Sequence, residues 1–144
     1  MRRGGALSQM PPDLGKPYSS EAERAADREA LITYWYGIEA LTRLAEKPVS
    51  RWSPEQVGLF PPSVPGGPPE HPEQRLRRWL TLYSDEVGVI RDIRNRLVHS
   101  GQVTDPELRG AAWLARTIIS TALGTLPSEI EPKSIFALIR AAQL

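Results

Sequence analysis

The 144-residue chain has two histidines and no cysteine. Chemistry that needs a thiolate, a disulfide or a sulfur-ligated metal is therefore closed to it. His71 stands in Pro68-Pro69-Glu70-His71-Pro72, where an ordinary solvated imidazole is the simplest reading. His99 ends the run Ile90-Arg91-Asp92-Ile93-Arg94-Asn95-Arg96-Leu97-Val98-His99, just before Ser100-Gly101. On a helix, Asn95 and His99 stand one turn apart and share a face. Arg94 lies on an adjacent face, about 140° round from His99 by helical arithmetic, and its long side chain can curl over. A guanidinium grips phosphate in bidentate fashion and neutralises charge developing on it. An imidazole with an ordinary pKa near ~6.5 takes or gives a proton at neutral pH. With an amide to hold the imidazole or the phosphate, the three suit cleavage of RNA by its own 2′-hydroxyl. That reaction needs no metal and no protein nucleophile.

Charge distribution points to the same segment. The net charge is only +1, which neither demands nor excludes a nucleic-acid partner. Arg75, Arg77 and Arg78, then Arg91, Arg94 and Arg96, outnumber the nearby Asp85, Glu86 and Asp92. Arg78, Arg91 and Arg96 are accordingly the candidates for gripping a polyanionic substrate around the Arg94–His99 cluster. Each feature also has an ordinary explanation. Arg94 could pair with Asp92 or with Glu107 on the next helix, and His99 could serve the helix dipole. The arginines of 75–78 could form a solvated helix face. Tyr34-Trp35-Tyr36 suggests a base-stacking platform, but successive helical residues diverge, so core and dimer packing for Trp35 with a tyrosine at its rim is the better reading. Trp79 and Trp113 read as core or interface anchors.

The elements that must position these residues read as helices. After a leader of about 20 residues with Gly4, Gly5, Pro11, Pro12, Gly15 and Pro17, expected to be disordered or loosely attached, Ser19 or Ser20 makes an N-cap. Apolar positions at Ala25, Leu31, Ile32, Trp35, Ile38, Leu41 and Leu44 then predict one long amphipathic helix ending before Pro48. The eight prolines from Pro48 to Pro72 predict a long connection with no regular element. A second helix is expected from about Glu73 to Tyr83, continuing or restarting after Ser84 through Val87, Ile90, Ile93 and Leu97. Gly101 is placed to end it as a C′ residue. Thr104 and Glu107 have capping-box spacing, with Pro106 in the first turn. They open a helix whose apolar face is Leu108, Ala111, Ala112, Ala115, Ile118, Ile119 and Ala122, closed by Gly124. Pro132 starts a last short helix with Ile135, Phe136, Ile139 and Ala142 as its stripe. No period-two alternation or hairpin signal interrupts the pattern. The expectation is an all-α, up-and-down bundle of four to five helices forming one domain over 21–144, with roughly two-thirds of its unfolded surface buried.

Arg-Asn-x-x-x-His late in a helix of a small bundle resembles the signature of HEPN domains, most closely over about residues 85–125. Arg94 corresponds to the family's arginine, Asn95 to the polar residue that commonly follows it, and His99 to its histidine. The resemblance implies a homodimer that brings two copies of the motif into one cleft, cuts RNA without metal and leaves a 2′,3′-cyclic phosphate. Many such domains are nucleases of toxin–antitoxin or antiviral systems, so RNA and an antitoxin or nucleotidyltransferase are the implied partners. Ser100-Gly101 follows His99 where members controlled by nucleotide transfer onto a tyrosine have His-x-Tyr, so that form of control is not implied. Other members are binding or assembly modules, which leaves a non-catalytic module for RNA, a nucleotide or a protein as the alternative.

Several classes are excluded or disfavoured. There is no glycine-rich phosphate loop, no Gly-x-Ser-x-Gly elbow and no convincing metal-ligand set, so no cofactor is expected. No apolar run approaches the ~20 residues of a membrane span. Met1-Arg2-Arg3-Gly4-Gly5 is not followed by the apolar stretch of a secretory signal, and a cytoplasmic location is the expectation.

Overall fold

The computed structural model describes residues 13–60 and 72–142. Six α-helices follow in order: α1 (Glu21–Glu46), α2 (Pro54–Gly58), α3 (Pro72–Leu82), α4 (Ser84–His99), α5 (Asp105–Leu123) and α6 (Pro132–Ala142). Single 3-10 turns stand at Val49–Arg51 and Pro127–Glu129, and no strand occurs among the described residues. The protein is an all-α bundle.

Helix ends form where short-range chemistry dictates. Ser20 is the first cap, its hydroxyl accepting from the Glu23 N–H at 3.1 Å. The Thr104–Glu107 capping box closes in both directions, with Glu107 N–H donating to Thr104 Oγ1 at 3.3 Å and Thr104 N–H to Glu107 Oε1 at 3.0 Å. Gly101 and Gly124 take left-handed conformations, with φ of 72° and 71°, which a Cβ would strain. Between α3 and α4 the chain restarts at Tyr83, but the ladder nearly continues: Tyr83 N–H donates to the Trp79 carbonyl at 3.0 Å, and the Tyr83 carbonyl accepts from Val87 N–H at 2.9 Å.

α1 is the central helix, packing on α5 and α6 and also on α3 and α4. It buries Leu31, Tyr34, Trp35, Ile38, Leu41 and Leu44, each contributing about 1.5–3 kcal/mol for an aliphatic or aromatic side chain taken fully out of water. The close approach depends on Gly37, where an added Cβ would meet Ile135 Cγ2 at 2.9 Å and Ile119 Cδ1 at 3.3 Å. The expected apolar face of α5 is buried throughout. Trp79 anchors α3 to α5 by donating its indole N–H to the Ile118 carbonyl at 2.8 Å.

Four expectations need correction. Among the described residues the α-helices number six rather than four or five. The additional one, α2, lies in the proline-rich connection where no regular element was expected. Its reason is local: Ser53 and Gln56 form a capping box and Pro54 occupies the first turn, where its missing N–H costs nothing. Gln56 is also fully buried and donates its amide to the Ala141 and Ala142 carbonyls at 3.0 and 3.3 Å, satisfying the open end of α6. The rest of that connection, with His71, lies outside the described residues. On α6 the buried row is Ile135 and Leu138, with Ile139 and Ala142 half-buried, while Phe136 is exposed; spacings of three, four and seven put Leu138 on the stripe and Phe136 off it. Finally, within the leader expected to be loose, residues 13–20 are tied down. Arg109 donates to the Asp13 and Lys16 carbonyls and lies 4.4 Å from the Tyr18 ring centroid, and Tyr18 donates its hydroxyl to Asp27 at 2.7 Å. Residues 1–12 lie outside the described residues.

Candidate functional site at the end of α4

α4 buries Ile90, Ile93 and Leu97, a three-and-four spacing that turns Arg91, Asn95 and His99 outward in one row. The end of the helix is held in place: the N–H groups of Ser100 and Gly101 both donate to the Arg96 carbonyl at 2.9 Å. The helix lies antiparallel to α1, since Arg94 sits against Tyr36 while Val87 and Arg91 share a cleft with Thr42 and Arg43.

Two arginines near this end have different surroundings. Arg96 is clasped by acids, with Nε 3.3 Å from Asp92 and Nη2 2.5 Å from Glu107. The Arg96 hydrogen bond and then those from Thr104 hold the Glu107 carboxyl down at about 2, well below the usual carboxylate range. The ordinary role foreseen for Arg94, pairing with Asp92 or Glu107, thus belongs to Arg96. Arg94 pairs with no acid among the described residues. Its guanidinium carbon lies 5.9 Å from the centroid of the Tyr36 ring, Nη1 donates to Asn95 Oδ1 at 3.2 Å, and Nε is buried without a hydrogen-bond partner. The stem is half-buried, so the guanidinium has a defined seat and keeps its charge uncompensated.

Asn95 and His99 are exposed, and the His99 imidazole takes no hydrogen bond or ion pair among the described residues. Arg91 is exposed at the edge of a cleft of about 520 Å³ between α1, α3 and α4, whose rim also includes Glu39, Arg43 and Glu46. Arg78 is exposed on α3 and does not line that cleft. The chain thus joins Arg94 to Asn95 by a direct bond, and places Arg91 and His99 one turn to either side of Asn95. It makes no bond from His99 to either of them.

Tyr36 is the member that sequence reasoning did not assign. Of Tyr34-Trp35-Tyr36, the first two are 5% and 7% exposed while Tyr36 is 46% exposed, the rim tyrosine that the helical divergence of neighbours allows. What the triplet could not reveal is that α4 brings Arg94 to its face, a cation–π geometry. Among the described residues no three His, Cys, Asp or Glu side chains gather as metal ligands, and no helix is long and apolar enough to cross a membrane. No family model, curated protein or solved structure matches this chain.

Proposed function

We propose that the protein is a metal-independent endoribonuclease of HEPN type, working as a homodimer in a cytoplasmic toxin–antitoxin or antiviral defence system. The observation that supports this reading is the unequal treatment of the two arginines: Arg96 is neutralised by Asp92 and Glu107, whereas Arg94 is seated on Tyr36 and Asn95 with its charge uncompensated. An arginine held in place without an acid is what an anionic transition state requires.

In this mechanism one His99 removes the proton from the RNA 2′-oxygen, which attacks the adjacent phosphorus. The bond from phosphorus to the 5′-oxygen breaks, and the leaving oxygen takes a proton from the His99 of a second copy. One imidazole cannot easily face both oxygens, which is why a dimer is part of the proposal. Arg94 neutralises the charge on the pentacoordinate phosphate, Asn95 orients it, and Arg91 guides the strand along the α1–α4 cleft. Arg78 would add a more remote phosphate contact. Arg96, expected among the substrate-binding residues, already has two acid partners and acts in this scheme by fixing the end of α4.

The second reading is a non-catalytic module that holds RNA, a nucleotide or a protein partner such as an antitoxin. It is favoured by one observation: no hydrogen bond or ion pair among the described residues orients the His99 ring or selects its tautomer. Cleavage of a mixed RNA by the wild type and by His99→Ala in EDTA, with the oligomeric state of both measured, separates the two. The nuclease reading expects a 2′,3′-cyclic phosphate product from the wild type and a loss of about 10²–10⁴-fold in the variant. Cleavage surviving in His99→Ala places the activity elsewhere, and no cleavage by a folded wild-type dimer supports the binding module.

A further inference from the structure

α1 and α5 enclose a second cleft, of about 260 Å³, into which Asp27, Tyr34, Arg109, Trp113 and Arg116 face. It lies round α1 from the Arg94 site, since Tyr34 and Tyr36 are about 200° apart on the helix. Its volume falls just below the ~300–1,000 Å³ usual for ligand pockets, so a small occupant is implied.

Several polar groups in this cleft have hydrogen-bonding capacity that the described residues do not use. Tyr34 is 5% exposed as a whole, and its hydroxyl makes no hydrogen bond among the described residues. Burial pushes that hydroxyl up and keeps it protonated, so it is a donor. Asp27 is oriented through one oxygen only, Oδ2, which accepts from Tyr18 at 2.7 Å. Burial, and then the bond to Asp27, keeps the Tyr18 hydroxyl protonated for that purpose. Arg116 is oriented through Nε alone, which donates to the Pro127 carbonyl at 2.6 Å, leaving both terminal amino groups without a partner among the described residues. Arg109 is engaged by Glu23 and the Asp13 and Lys16 carbonyls, so Arg116 is the cation available to a ligand.

Asp27 and Arg116 carry opposite charges, face one half-buried cleft, and form no ion pair with each other among the described residues. Asp27 is bonded to Tyr18 and Arg116 to the Pro127 carbonyl instead. Two opposite charges that line one cleft without pairing suit a molecule that supplies the complementary charge to each. We propose that this cleft binds a free amino acid as its zwitterion, with the ammonium on Asp27, the carboxylate on Arg116 and the Tyr34 hydroxyl, and the side chain along Trp113. The proposal is independent of RNA cleavage.

The test is calorimetric titration of the full chain with the standard free amino acids, followed by the decarboxylated and deaminated analogues of the tightest binder. Tyr34→Phe is the informative variant, because it removes one oxygen that has no partner and leaves the fold's contacts intact. The expected result is saturable binding of a zwitterion, at least about tenfold weaker binding of each singly charged analogue, and a loss of about tenfold in Tyr34→Phe at unchanged Tm. Asp27→Asn should weaken the amino acid and its amine analogue but not the carboxylate analogue. Singly charged analogues that bind as well as the zwitterion would overturn the proposal. So would unchanged affinity in Tyr34→Phe, or no binding of any amino acid at about 10 mM to the folded chain.

Discussion

Arg94 and Arg96 stand two residues apart on α4, yet the two sides of the helix use an arginine differently. Toward α5, Arg96 meets Asp92 and Glu107, and Glu107 also completes the cap of the next helix. Its charge is locally cancelled and serves the joint between two helices. Toward α1, Arg94 meets an aromatic ring, an amide and, among the described residues, no acid. A ring face holds a guanidinium without cancelling its charge, so the second side seats a cation and leaves it charged. The difference teaches that the partner of an arginine, rather than its presence in a motif, separates a fold-holding role from a candidate chemical one.

The largest effect that can break this comparison is on activity. Arg94→Ala should lower RNA cleavage by about 10²–10³-fold with little change in Tm. Arg96→Ala should do the reverse, reducing Tm by about 1–3 °C while cleavage falls less than about tenfold. Single-turnover cleavage and calorimetry on both variants decide it, and equal activity losses at unchanged Tm would erase the distinction between the two sides. A smaller effect sharpens the α1 side. Tyr36→Leu removes the ring beneath the guanidinium and should cost about two- to fivefold in cleavage, the size of an exposed cation–π contact, whereas Tyr36→Phe should retain activity. If both variants were equally impaired, the hydroxyl and not the ring face would be the relevant group.

The smallest effect lies on the α5 side and appears only in acid. Glu107 is held at about 2 against an ordinary value of 4.5. A depressed carboxylate contributes its stability fully above the unfolded value and loses it as pH falls through the folded one. Between about pH 4.5 and 2, wild-type Tm should therefore fall more steeply than that of Glu107→Gln, and the gap should narrow in high salt, because this pair is solvent-accessible and screened. Parallel curves would mean that the clasp is not maintained in solution.

The parts that were legible in the sequence share a short range. Ser20, the Thr104–Glu107 box, Gly101 and Gly124 act through bonds to residues a few positions away, so their effect is written in the local order of residue types. The α5 face is equally legible because a 3.6-residue period needs no knowledge of the partner. The role of Gln56 is not legible locally, because its buried amide caps a helix end 85 residues further on. Nor is that of Gly37, whose significance depends on Ile135 and Ile119. Of the candidate site, the row Arg91, Asn95 and His99 follows from spacing alone. Tyr36 does not, since it comes from another helix.

By itself, then, the sequence determined that this chain is helical, where most of its helices begin and end, and that one of them ends on arginine, asparagine and histidine. Those properties depend on backbone bonds and side-chain spacing within a few turns. Only the tertiary structure decided which arginine is neutralised and which is left charged, and which tyrosine leaves the core. It also decided that Asp27 and Arg116 line one cleft without pairing among the described residues. Side-chain chemistry is the same for every arginine. The groups within a few ångströms set what each one does, and those groups come from helices far apart in the chain.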